Sequence, residues 1–114
     1  MNLDQLTDAI KTSTEEKLPE RLEHWIKEWK KDDKTVDDLV YMVEKWFGNV
    51  WFGEISDHNI CYALWEDFKK NQIEGIGGMT INERLYNFCL FDRYDSCITR
   101  EDQLKIYTKL KAKP

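Results

Sequence analysis

Serine or threonine followed three residues later by an acid occurs at Ser13–Glu16, Thr35–Asp38, Thr80–Glu83 and Thr99–Asp102, each time ahead of apolar residues spaced three and four apart. That combination marks a helix start. The hydroxyl accepts a backbone N–H of the first turn, and the acid reaches back to the N–H of the capping residue. The apolar stripes that follow are Leu18, Leu22, Trp25, Ile26 and Trp29; Val36, Leu39, Val40, Val43 and Phe47; Ile81, Leu85, Phe88 and Cys89; and Leu104, Tyr107 and Leu110. Two more come from Leu3, Leu6 and Ile10, and from Cys61, Leu64, Trp65 and Phe68 behind a cap at Ser56. Each gives a helix one apolar face. The expected fold is all-α, a compact bundle of five or six helices forming a single domain over 1–114.

Two glycine-containing stretches test that expectation. In "GIGGMTINERL", residues 75–85, the glycines do not match a dinucleotide fingerprint, whose third glycine falls on Thr80, and no Gly-Lys-Ser/Thr follows for a phosphate loop. The residues before it are helical in period, so Gly75 is read as a helix stop and Gly77–Gly78 as a turn reached through positive φ. "KWFGNVWFGEI", residues 45–55, repeats Trp-Phe-Gly and is too rich in glycine for a helix interior. Gly48 is expected to end the third helix and open a structured aromatic loop near 46–55.

At 114 residues the chain suffices for one core. No apolar run approaches a membrane span, and the N-terminus lacks the pattern of a signal peptide. Three cysteines far apart in sequence are read as free thiols of a cytoplasmic protein. The net charge is −5, unevenly spread: residues 1–31 hold seven acids and six bases, residues 32–67 nine and two, residues 68–114 six and nine. A chain with its charge in an acidic middle third has no footprint for direct nucleic-acid binding. A basic protein surface suits it better.

No enzymatic chemistry is indicated. His58 and Cys61 are spaced to share a helical face, as a nucleophile and its base would be, but Cys61 also lies on an apolar stripe. Two His and three Cys without CxxC or HxxxH spacing do not make a zinc site, and no cofactor or metal is expected. Asp92 and Asp95 could pair as acids, although Arg84, Arg93 and Arg100 are near enough in sequence to hold them in salt bridges. The residues assigned to a partner are therefore the middle-third acids Asp32, Asp33, Asp37, Asp38, Glu54, Asp57 and Glu66. Trp51 and Phe52 are either aromatic anchors for that partner or a lid folded back on the core.

From Met79 to about residue 111 the chain resembles a short helical module of bacterial proteins that read M-T-V-N-E-R-L, then an apolar run ending in D-x-F/Y-D, then a second helix. The matching residues are Met79, Thr80, Asn82, Glu83, Arg84, Leu85, Asp92, Tyr94 and Asp95; Ile81 replaces the valine, and Cys89 and Cys97 are not part of the pattern. Some proteins with this module look like immunity proteins encoded beside secreted toxins. The resemblance implies a helical scaffold and suggests that it neutralises a toxin, and the charge adds that the expected partner is a basic, nuclease-type toxin domain, as in contact-dependent growth inhibition. The alternative is a small helical regulatory adaptor that binds a housekeeping protein.

Overall fold

Helices are the only regular structure in this chain. A computed structural model describes residues 1–114 throughout and contains α1 (Leu3–Thr12), α2 (Pro19–Lys31), α3 (Val36–Asn49), α4 (Ile55–Phe68), α5 (Ile81–Asn87), α6 (Phe91–Asp95) and α7 (Arg100–Lys109). With a π-helical turn at Lys69–Ile73 and a 3₁₀ turn at Ile76–Gly78, 71% of residues are helical and none is in a strand. The all-α expectation holds. No helix is long and apolar enough to cross a membrane.

The helix starts divide by chemistry. Thr35 with Asp38 and Thr80 with Glu83 form reciprocal capping boxes, and the Thr99 hydroxyl accepts the Asp102 N–H. Ser13 does not start α2. It ends α1, donating its hydroxyl to the Ala9 carbonyl at 2.6 Å, while α2 begins at Pro19, whose fixed φ and missing N–H suit a first turn. Ser56 likewise lies inside α4, which starts one residue after Glu54 without a side-chain cap. The opening box is Asn2 with Gln5, at α1.

Twenty-one buried apolar residues form one core cluster. Helix α1 lies against α2 and α4, and α2 against α3. Gly48 does not stop α3, which runs on to Asn49 and buries Trp46 and Phe47 in the core. The expected aromatic loop thus shrinks to residues 50–54. Trp25 also departs from expectation: Leu22, Ile26 and Trp29 take the buried face of α2, leaving Trp25 38% exposed. At the C-terminus the buried positions are Ile106, Lys109 and Leu110, whereas Leu104 and Tyr107 are only half-buried.

None of the five glycines has a positive φ. The left-handed positions are Cys89 (φ 58°) and Lys111 (φ 57°). Each follows a helix end in the arrangement usually made by glycine. Cys89 N–H donates to Tyr86 O and Leu90 N–H to Leu85 O; Lys111 N–H donates to Thr108 O and Ala112 N–H to Tyr107 O. The first of these splits the helix expected after Thr80 into α5 and α6, which gives seven helices where five or six are expected. Both survive without glycine because the two bonds satisfy carbonyls that a helix end would otherwise leave open.

Candidate protein-binding surface

The nine partner-binding residues read from the sequence fall into separate environments. Asp32, Asp33, Asp37 and Asp38 surround the turn between α2 and α3, and all four are engaged within the chain. Lys109 Nζ lies 2.9 Å from Asp32 Oδ1, Arg93 Nη2 3.1 Å from Asp33 Oδ1, and Lys111 Nζ 3.2 Å from Asp37 Oδ2. Asp38 accepts the Thr35 N–H in the capping box. The acidic middle of the sequence is thus neutralised in large part by its basic C-terminal third.

Lys109 is the centre of this clamp. It is 0% exposed. Its ammonium donates to the carbonyls of Trp29, Asp32 and Lys34 as well as to the Asp32 carboxylate and sits 3.9 Å from the centre of the Trp29 ring. Burial pushes its pKa below the ordinary lysine value, against the opposing pull of Asp32. Arg93 donates to the Lys30 and Asp32 carbonyls alongside it. Together the two cations satisfy backbone acceptors at the C-terminal end of α2, where the helix dipole also favours positive charge. Arg84 serves α7 in the same way through the Leu110 and Lys111 carbonyls. Arg84 and Arg93 therefore do not pair with Asp92 or Asp95, neither of which has an ion-pair partner.

Glu66 is also engaged: Lys69 bridges it (3.1 Å) and Glu44 (2.7 Å). The neighbouring Tyr62 hydroxyl, ahead of Lys69, lowers the Glu66 pKa, and Glu44, ahead of Glu66, raises that of Lys69.

Glu54 and Asp57 stand elsewhere. With Glu15 and Glu16 they line a shallow concavity of ≈ 600 Å³ between the α1–α2 and α3–α4 connections, beside Thr12, Ser13, Thr14 and Gly53. No lysine or arginine pairs with any of these four carboxylates. Glu16 accepts the Gly53 N–H through both oxygens at 3.1 Å, and Asp57 accepts the Thr14 hydroxyl at 2.8 Å. Such partners hold the geometry without cancelling the charge. No three His, Cys, Asp or Glu side chains are grouped to hold a metal ion.

Trp51 and Phe52 part company. Phe52 is 9% exposed and packs edge-on against Trp46, so it lids the core and is not available as an anchor. Trp51 is 88% exposed. It stands at the end of a groove of ≈ 1400 Å³ between α2 and α3, which shares Glu15 and Glu16 with the acidic concavity. Trp29 and Trp46 lie buried along it, while Trp25 and Tyr41 (69% exposed) stand open to solvent. Trp25, Tyr41, Glu15 and Glu16 line these concavities but are not among the residues that the sequence assigns to a partner. Trp25 matches the core stripe of α2 equally well, and the two glutamates lie outside the acidic third of the sequence.

The His58–Cys61 pair is not assembled. The Cys61 thiol is buried against the Ile10 carbonyl, with its pKa raised by burial. His58 Nε2 donates to the Phe47 carbonyl at 3.3 Å, and its ring packs among Phe47, Phe52 and Tyr62. Comparison of the chain with protein-family models, with curated proteins and with solved structures yields no match.

Proposed function

We propose that this domain binds and neutralises a basic protein, a nuclease-type bacterial toxin of the contact-dependent inhibition kind, through the surface formed by Trp51 and the carboxylates of Glu15, Glu16, Glu54 and Asp57. The observation that carries the reading is the juxtaposition of the most exposed tryptophan with four carboxylates that have no internal counter-ion. Exposed charge of one sign speeds encounter with a basic partner, and an aromatic side chain that becomes buried on binding slows its release. A nuclease must be basic to hold its substrate, so an acidic ligand both finds it and competes for that surface. The resemblance of residues 79–111 to modules of immunity proteins supports the choice of a toxin over a housekeeping partner.

The test is co-expression with a toxin encoded by a neighbouring gene, followed by surface plasmon resonance with the purified pair. Trp51→Ala is expected to raise the off-rate and weaken binding by about 2 kcal/mol or more, without lowering the melting temperature. Unchanged binding by Trp51→Ala, or no protection of the cell from the toxin, would sink the proposal; capture of a housekeeping protein at this surface would favour the adaptor.

A further inference from the structure

The groove between α2 and α3 has a shape that the acidic concavity lacks. Its walls are two helical faces. Arg21, Trp25, Glu28 and Asp32 line it from the α2 side, and Asp38, Tyr41, Lys45 and Asn49 from the α3 side, all at spacings of three or four. The two stripes belong to consecutive helices joined by a short turn, the layout of a helical hairpin. From Arg21 to Asp32 the wall runs roughly 16 Å at ~1.5 Å per residue, about three helical turns.

Size and charge narrow the occupant. At ≈ 1400 Å³ the groove exceeds the roughly 300–1000 Å³ of small-molecule sites. Two parallel ridged walls with exposed aromatics between them suit a third helix laid along the hairpin. The rim carries both signs, with Lys17, Arg21, Lys34 and Lys45 set against Glu15, Glu16, Glu28, Asp32 and Asp38. Past Glu15 and Glu16, which Lys17 adjoins, the groove opens onto the concavity, where Glu54 and Asp57 add carboxylates and no base.

We infer that the α2–α3 groove seats one amphipathic helix of the partner, about three turns long, with its apolar face on Trp25 and Tyr41 and its basic end against Glu15 and Glu16. This rests on the proposed function for the nature of the partner and adds how it is held. Trp29 and Trp46 form the floor, and Trp51 stands over the basic end of the seated helix.

The probe is an acetylated 14-residue peptide of leucine and lysine with the leucines at helical spacing, titrated into the isotope-labelled full chain and followed by NMR. Its comparison is an isomer of the same composition in strict leucine–lysine alternation, which has equal charge but no apolar helical face. The helical peptide is expected to shift amides of Arg21–Asp32 and Asp38–Asn49 and the Trp25 indole, and to bind at least ~10-fold tighter than its isomer. The double variant Trp25→Ala/Tyr41→Ala is expected to lose at least ~10-fold of that affinity and, because Trp25 is partly packed, to melt somewhat lower while staying folded. Tyr41→Ala alone, at the more exposed position, is expected to weaken binding while melting as the parent does. Equal binding of the two peptides, shifts confined to Glu15, Glu16, Glu54 and Asp57, or no binding would each overturn the helix inference. None of these results decides the toxin reading, which is judged by Trp51→Ala against the purified toxin.

Discussion

The turn at residues 32–38 and the concavity at Glu15, Glu16, Glu54 and Asp57 each bring four carboxylates together, yet they use them for opposite ends. In the turn, Lys109, Arg93 and Lys111 arrive from the far end of the chain and consume most of the charge. In the concavity the partners are a backbone N–H and a hydroxyl, and the charge stays uncancelled. Acidic clusters in a sequence are therefore ambiguous until their counter-ions are located. The cluster that is contiguous in sequence is paired within the fold, and the one assembled from two distant connections keeps its charge.

Breaking the turn should produce the largest effect. Lys109→Met removes the buried cation from the acceptors of Trp29, Asp32 and Lys34 and leaves the Asp32 carboxylate without its ion partner. Urea titration is expected to show a loss of about 3 kcal/mol, the upper end for leaving buried acceptors without their donor, since the partly exposed Asp32 carboxylate is rehydrated. A loss below about 1 kcal/mol would mean that the clamp contributes little.

Asp32→Asn is the gentler probe of the same contact, since an amide oxygen can still accept from Lys109 but no longer balances its charge. About 2 kcal/mol is expected by the same measurement, in line with a hydrogen bond to a charged group.

The concavity should respond in binding and hardly at all in folding. Glu15→Gln, Glu16→Gln, Glu54→Gln and Asp57→Asn combined are expected to slow association with the basic partner about 10-fold at low salt and to flatten the salt dependence. Melting should fall only slightly, because no ion pair is broken and the amide oxygens can still accept from the Gly53 N–H and the Thr14 hydroxyl. If neutralising Asp33 and Asp37 slows association as much, the distinction between the two regions is wrong.

The smallest effect belongs to the edge of the clamp. Lys111→Gly breaks the exposed pair with Asp37, worth a few tenths of a kcal/mol to about 1, but relieves a left-handed backbone position that costs a side chain roughly 1–2 kcal/mol. Thermal melts should place it at or slightly above the parent. A clear loss would make the Asp37 pair part of the structural core of the turn.

What was legible in the sequence was local. The Thr35, Thr80 and Thr99 caps and the 3.6-residue stripes specify helices because the groups that satisfy one another lie within about four residues along the chain. The all-α fold and most of the core followed from them. Position within an element misled where neighbours decided the outcome: Trp25 keeps the core period yet stays in solvent, and Gly48 stays helical because Trp46 and Phe47 on the same turn are buried. Apart from Asp38 in its capping box, the roles of the middle-third acids could not be read. Lys109 reaches Asp32 across 77 residues, and Glu16 reaches Gly53 across 37, so whether a carboxylate is spent on the fold or left for a partner depends on which helix ends the tertiary packing brings together. Coulomb and hydrogen-bond energies depend on distance in space, and one-dimensional charge counts carry no information about that distance.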